Sequence, residues 1–284
     1  MKFKDYLNLM RVRQWYKNLV IFLAIFFSGN LLQIEPIYLS VLGFVALCLI
    51  SSGNYVFNDL ADIEKDKLHP EKKNRPLASG QIEPTIAIVL ALILFLGGLS
   101  LALWLGTAFL SLVVAIIVVS KIYTYLLKKI AFADILTIAT LFVLRAISGA
   151  EVINVQVSPW LILCPFFLSL FLSIGKRKSD LLFLKKKAEL TRTTLKIYNN
   201  ELTNSLMNIS TALLIISYAL YSFLSEQQNL LYTLPFALFV IFRYYYLIMQ
   251  GSVIARQPEK VITDKSIIIG TLLWVIITAI LIYI

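Results

Sequence analysis

The sequence predicts an all-α polytopic membrane protein with about nine transmembrane helices and no second domain. Three observations carry that expectation. Hydrophobic residues make up 59% of the 284-residue chain, against about 45–50% in soluble domains. The mean hydropathy is +0.82. Apolar runs approaching the roughly 20 residues needed to cross a bilayer recur from end to end. No polar tract between them could fold as a separate soluble domain, so residues 1–284 read as one unit.

Residues 1–18 mix Phe3, Tyr6, Leu7, Met10, Trp15 and Tyr16 with Lys2, Lys4, Arg11, Arg13 and Lys17. That pattern predicts a helix lying in the membrane interface before the first span. Leu19 to Phe27 follow without a small-residue cleavage site, which fits a retained first helix rather than a signal peptide. The spans are expected at 15–32, 37–57, 82–104, 107–127, 132–153, 158–175, 205–223, 230–249 and 266–284. With the N-terminus inside, the inner connections are 59–81, 128–131, 176–204 and 250–265. Apart from Arg145 and Arg243 within spans and Lys121 at the inner end of the fourth, every Lys and Arg lies in those connections or near the N-terminus. That asymmetry predicts a cell-membrane protein with its inner loops in the cytoplasm and its C-terminus outside. The formal net charge of +10 is then a property of one face, suited to anionic headgroups. Nucleic acid is not an expected partner, because the aromatic residues lie mostly in spans and no recognition module is present. Cys48 and Cys164 sit inside apolar runs without companions at metal spacing, which argues against a disulfide or a zinc site.

The second span runs into Asn58-Asp59-Leu60-Ala61-Asp62-Ile63-Glu64-Lys65-Asp66. As one helix at about 100° per residue, Asp59, Asp62 and Asp66 fall within roughly 60° of one another, with Asn58 beside them. Scattered acids at a solvated helix end would give the same letters. Here, however, the acids adjoin an apolar span, where ionisable groups are costly and usually functional. Lys72, Lys73 and Arg75 follow before Pro76. Carboxylates at one- and two-turn spacing suit Mg²⁺ completed by substrate phosphates. Asp59, Asp62 and Asp66 are therefore candidate metal ligands, Asp59 and Asp62 being the catalytic pair.

A second polar cluster, Gly175-Lys176-Arg177-Lys178-Ser179-Asp180, follows the sixth span, with Lys185, Lys186, Lys187, Arg192 and Tyr198 beyond it. Topology and lipid contact account for Lys185 to Lys187. Lys176, Arg177 and Asp180 lie nearest the span and are candidate ligand contacts, since Arg holds phosphate with a planar fork and Lys as a point charge. Arg145 lies deep in the fifth span, where an unpaired charge costs a few kcal/mol. It requires a partner from another helix or a substrate anion. Asp134 is about three turns away on the same helix, too far for a direct pair. His69, the only histidine, reads as a loop residue before Pro70 rather than as a general base.

The Asn58-Asp59-x-x-Asp62-x-x-x-Asp66 run after the second span, with about nine helices, resembles the first aspartate-rich motif of the UbiA superfamily of intramembrane prenyltransferases, and implies that bundle. Members that prenylate aromatic rings or make prenyl ether lipids carry a second aspartate-rich motif after the sixth span. This chain has Gly175-Lys176-Arg177-Lys178-Ser179-Asp180 there, which resembles the decaprenyl-phosphate phosphoribosyltransferase branch, with Asp180 where Glu is usual. Similar to the same branch are Arg11 through Asn18, His69-Pro70 through Pro76, Tyr123 through Lys128 to Asp134, Phe142 through Ala146, Arg243-Tyr244 and Pro258-Glu259 before Asp264.

The resemblance implies Mg²⁺-dependent transfer of 5-phosphoribose from phosphoribosyl pyrophosphate to a polyprenyl phosphate, releasing pyrophosphate. Lys176, Arg177, Arg75, Lys17 and Lys128 would bind phosphates, and Asn58 would contact sugar or phosphate. Asp134, Arg145, Asp180 and Tyr198 complete the expected substrate-binding set. Two other readings stay open: a UbiA-type enzyme moving a prenyl group from a prenyl diphosphate to an aromatic or glycerol-phosphate acceptor, and a membrane transporter. The first calls for carboxylates at metal spacing in the 176–204 region, where only Asp180, Glu189 and Glu201 occur. The second calls for internal repeats and broken helices. Lipid length and oligomeric state are not written in the sequence.

Overall fold

The computed structural model describes residues 3–68, 72–184, 197–225 and 228–284, and these contain helices joined by turns and no strand. His69, Lys185 to Lys187 and Arg192 lie outside the described residues. The helices are α1 (Phe3–Leu9), α2 (Phe22–Phe27), α3 (Ile34–Ala61), α4 (Ile63–Lys67), α5 (Pro84–Leu105), α6 (Thr107–Tyr125), α7 (Ala133–Val152), α8 (Pro159–Leu184), α9 (Asn200–Leu224), α10 (Leu234–Met249), α11 (Val253–Arg256) and α12 (Lys265–Tyr283). Among the described residues, eight helical stretches are long and apolar enough to cross a membrane. They are α3, α5, α6, α7, α8, α9, α10 with its preceding turn, and α12.

The first expected span takes another form. Arg11 adopts a left-handed conformation at φ 51°, ending α1. Val12–Ile21 then runs as a 3₁₀ helix into α2. At about 2.0 Å per residue in 3₁₀ form and about 1.5 Å in α form, this composite leg reaches roughly 29 Å, close to the thickness of a bilayer core. The interfacial helix expected over residues 1–18 is therefore confined to α1. Its Leu9 is fully buried with Val56, Leu77 and Ile82. The threefold repeat of a 3₁₀ helix stacks residues three apart. Trp15, Asn18 and Ile21 form one row, which faces α3 and α7: Trp15 Nε1 donates to Ser52 Oγ at 3.0 Å, Asn18 Nδ2 to Cys48 Sγ at 3.3 Å, and Ile21 is buried.

α7 is the most buried span, packed among α2, α3, α6, α8 and the 3₁₀ leg. Its small residues, Ala139, Ala146, Ser148, Gly149 and Ala150, are all buried and let neighbouring backbones come close. The closest approach is at Gly149, where a Cβ would overlap the carbonyl of Ile21. Gly149→Ala is expected to push the 3₁₀ leg off α7 at a cost of about 1–3 kcal/mol. A thermal-unfolding midpoint equal to the parent's would remove this contact from the list of constraints.

Two helices run further than the apolar pattern predicts. α3 continues past 57 to Ala61, and α8 past 175 to Leu184, so Lys176 to Asp180 stand on helix rather than in a loop. Both extensions end on the same charged end of the bundle, where ion pairs satisfy the polar residues. At the opposite end, Tyr283 of α12 accepts from Leu31 N (3.1 Å) and donates to Phe26 O (2.7 Å), tying α12 to α2.

Candidate functional site

The acidic helix is not continuous. α3 stops at Ala61, Asp62 turns the chain at φ −104°, ψ 8°, and Asp66 belongs to the short α4. Backbone bonding bridges the turn, with Asp62 N donating to Asn58 O at 3.1 Å and Asp66 N to Asp62 O at 2.8 Å. The three acids are thus held together by a bend and by cations. Arg75 Nη1 donates to Asp59 Oδ1 at 3.0 Å and to Asp66 Oδ2 at 2.6 Å, while Arg11 Nη2 reaches Asp59 Oδ1 at 2.5 Å. Lys72 Nζ stands 3.8 Å from the other Asp66 oxygen. Asp59 and Asp66 side chains are each 3% exposed, whereas Asp62 is 30% exposed and has Lys65 at 3.7 Å.

This donor set bears directly on Mg²⁺. Among the described residues, no three His, Cys, Asp or Glu side chains cluster tightly enough to hold an ion by themselves. Mg²⁺ is normally held by one or two carboxylates and completed by water and substrate phosphates. Asp62 and the Asp59 oxygen that no described cation occupies fit that requirement. Asp66 has a cation at each oxygen. Asn58 is half-buried one residue before Asp59.

The 3₁₀ leg supplies the next wall. Gln14 and Lys17 share a row, Lys17 Nζ donating to Gln14 Oε1 at 2.8 Å, and Tyr55 OH donates to the same oxygen at 3.1 Å. The Arg11 guanidinium lies 4.8 Å above the Tyr55 ring, so Asp59, Arg11, Tyr55, Gln14 and Lys17 form one connected lining. Deeper, Arg145 Nε donates to Asn18 Oδ1 at 2.9 Å and Nη1 to Leu141 O at 2.6 Å, and no described carboxylate pairs with it. The partner that Arg145 required from another segment is therefore a neutral amide.

Lys128 joins the acidic side to the second cluster. Burial pulls its ammonium below the usual lysine value, and Asp62 pulls the other way, which places the two within electrostatic reach. Six residues on, Asp134 is fully buried and accepts from Arg177 Nη2 (2.9 Å) and Nε (3.1 Å), and from Tyr198 OH (2.8 Å). Tyr198 in turn accepts from Phe132 N at 2.9 Å, and burial raises its phenol above the ordinary range. Asp134, Arg177 and Tyr198, each at most 1% exposed, thus form an internal strut from α7 to α8 and the start of α9. On the next faces of α8, Lys176 is exposed, Lys178 Nζ donates to Asn200 Oδ1 at 3.1 Å, and Asp180 accepts from Arg256 Nε at 3.2 Å. Arg243 pairs with Asp264 at 2.9 Å and holds its carboxyl below the usual carboxylate range.

The structure therefore connects Asp59, Asp66, Arg75 and Lys17 through one chain of contacts, with Asn58 and Asp62 on the same helix end, Lys128 within electrostatic reach of Asp62, and the Lys176 end of α8 beyond the strut. Arg11, Gln14, Tyr55 and Arg256 are contacts that sequence reasoning did not assign. Arg256 lies 76 positions from its partner Asp180, and no local pattern announces it. Towards the opposite end of the bundle, an apolar cavity of about 250 Å³ opens among α2, α8, α9, α10 and α12, lined by Phe27, Leu161, Leu168, Tyr218, Val240 and Trp274 among others.

Residues 18–262 match the UbiA prenyltransferase family. A Mycolicibacterium smegmatis protein named decaprenyl-phosphate phosphoribosyltransferase is 32% identical, the alignment covering 94% of this chain and 88% of that protein. One of the same name from Corynebacterium glutamicum is 28% identical over 97% of this chain and 86% of its own length. Among solved structures, a UbiA homolog from Archaeoglobus fulgidus bound to DMAPP and Mg²⁺ superposes with a TM-score of 0.76 at 20% identity, covering 98% of this chain and 99% of that one. The eight membrane-spanning helices, the acid-bearing end of α3 and this match across most of the chain lead to one conclusion: the chain belongs to the UbiA prenyltransferase family and is an integral membrane transferase.

Proposed function

We propose that the protein transfers 5-phosphoribose from phosphoribosyl pyrophosphate to a polyprenyl phosphate, releasing pyrophosphate. The observation that carries this reading is the asymmetry of the two clusters. The α3–α4 bend offers two carboxylates suited to one metal-diphosphate, whereas the only acid on the described charged turns of α8, Asp180, is held by Arg256 among Lys176, Arg177 and Lys178. A donor whose phosphates are met by one metal and by cations fits that lining better than a prenyl diphosphate held between two metals.

In this reading the acceptor phosphate oxygen forms a bond to ribose C1 as the bond from C1 to the pyrophosphate oxygen breaks. Asp59 and Asp62 would hold Mg²⁺, which supplies charge neutralisation at the leaving oxygen. Lys17 and Lys128 hold donor phosphates from the two sides of the lining, and Lys176 is placed for the phosphate furthest along α8. Arg11 and Arg75 shield Asp59 and Asp66 from each other before the donor arrives. With its second pKa near 6, a phosphate monoester is already an anion at neutral pH, so no residue has to act as general base. The apolar cavity beyond Arg145 takes part of the lipid tail. The charged end faces the cytoplasm, as the distribution of Lys and Arg supports.

The direct test supplies purified protein with Mg²⁺, a polyprenyl phosphate and either labelled phosphoribosyl pyrophosphate or a labelled prenyl diphosphate. Label from the sugar donor is expected in the lipid product. Incorporation solely from the prenyl diphosphate, onto an added aromatic or glycerol-phosphate acceptor, would replace this reading by the ordinary prenyl transfer of the family.

A further inference from the structure

A further carboxylate, Glu259, lies at the charged end of the bundle outside the acidic bend. Glu259 stands on the 3₁₀ segment Pro258–Thr263, between α11 and α12. The Arg243–Asp264 pair anchors the end of that segment to α10, and the segment packs against the 3₁₀ leg Val12–Ile21. Glu259 is only half-buried, and no described cation lies within ion-pair distance of it, although the surrounding end of the bundle is rich in Lys and Arg. The 3₁₀ leg packed against its segment carries Tyr16, Tyr244 stands beside Arg243 on α10, and both phenols lie within electrostatic reach of Glu259. Tyr244 is 6% exposed and its hydroxyl has no hydrogen-bond partner among the described residues. A buried hydroxyl left unpaired costs about 1–3 kcal/mol, so a group that supplies the missing bond is favoured there.

The cluster is continuous with the acidic bend. Tyr16 lies within electrostatic reach of Tyr55, Tyr55 lies under Arg11, and Arg11 is on Asp59. The chemistry of the set is selective. A carboxylate repels phosphate and diphosphate, so this corner is not another phosphate subsite. One carboxylate with two phenols is a poor set for a hard cation. What a carboxylate flanked by phenols does accept is O–H donors, its two oxygens taking two hydroxyls at once while the phenols donate or accept as needed. Acidic residues bind ribose hydroxyls in this way in dinucleotide sites.

We infer that Glu259, with Tyr244 and Tyr16, forms a sugar-hydroxyl subsite that receives the vicinal diol of the donor ribose while the cations hold its phosphates. The inference rests on the phosphoribosyl reading above and deepens it. It makes Glu259 a specificity-determining residue, selecting a polyhydroxylated donor over an apolar prenyl one.

The test crosses a ligand deletion with a residue deletion. Initial rates are measured for phosphoribosyl pyrophosphate and for its 2-deoxy and 3-deoxy analogues, with the parent protein, Glu259→Gln, Glu259→Ala and Tyr244→Phe, each checked for a single symmetric peak on size exclusion in detergent. In the parent, removal of a bound hydroxyl is expected to lower kcat/KM by about 10- to 100-fold, the range for a hydrogen bond to a charged group. In Glu259→Ala, the penalty for at least one deoxy donor is expected to shrink to within about 2-fold of unity, because the partner of that hydroxyl is gone. Glu259→Gln keeps an acceptor oxygen and is expected to retain part of the penalty. A structural role for Glu259 would lower all three rates together and leave their ratios unchanged, and that outcome overturns the inference, as does a parent that uses both deoxy donors as well as the ribose donor. A parent that transfers nothing from phosphoribosyl pyrophosphate but does act on a prenyl diphosphate overturns the phosphoribosyl reading itself, and this subsite with it.

Discussion

Asp62→Asn is expected to lower sugar transfer by about 10²–10³-fold, the range for removing one electrostatic contact to a developing charge. Asp62 is the least neutralised of the three acids, 30% exposed with Lys65 at 3.7 Å. Its replacement therefore removes a ligand without liberating an arginine. The same loss is expected in Asp59→Asn, but there Arg11 and Arg75 also lose the negative charge they share, so that variant should be less stable as well as less active. Asp66→Asn separates the roles. With Arg75 and Lys72 at its two oxygens, it is expected to raise the KM for the donor more than it lowers kcat. Initial rates against Mg²⁺ concentration check the assignment: Asp62→Asn should shift the requirement upward, and an unchanged Mg²⁺ curve with unchanged turnover would take Asp62 out of the site.

The second large effect concerns the strut. Asp134→Ala leaves Arg177 buried without its carboxylate, which costs about 3–5 kcal/mol in comparable buried pairs. The Arg177→Ala partner change should cost a similar amount by orphaning Asp134. Replacing both, as Asp134→Leu with Arg177→Met, should recover most of the stability, because well-packed apolar residues often match or better a buried ion pair. Denaturant or thermal midpoints in detergent give the three numbers. Were Asp134→Ala as stable as the parent yet weaker in donor binding, the pair would be a ligand contact in place of a strut.

The acid-bearing end of α3 was legible from the sequence because carboxylates next to an apolar run have few structural uses. So were the helical class and most spans, since their hydrophobicity is continuous. What the pattern could not reach was backbone detail. The left-handed Arg11 starts a 3₁₀ leg, and this brings Arg11 onto Asp59 and leaves Arg13 exposed. Periodicity at 3.6 residues likewise placed Asp66 on the face of Asp59, where the structure has a bend at Asp62 closed by Arg75. The extension of α8 was hidden because Lys176 to Asp180 look like a loop until their partners Asp134, Asn200 and Arg256 are known, each more than 20 positions away. Arg145 was expected to meet an anion or a residue from another helix, and the neutral Asn18 on the 3₁₀ leg fills the second role.

The 3₁₀ leg has three faces with three separate duties. Trp15, Asn18 and Ile21 grip α3 and α7, Gln14 and Lys17 line the site, and Tyr16 lies within electrostatic reach of Glu259. At about three residues per turn, a slip of one position would exchange every face for its neighbour. No duty could survive by sliding along the helix, and the chain here has no spare register. An inserted or deleted residue between Arg11 and Ile21 would therefore scramble the anchor, the site wall and the Tyr16 face in a single step.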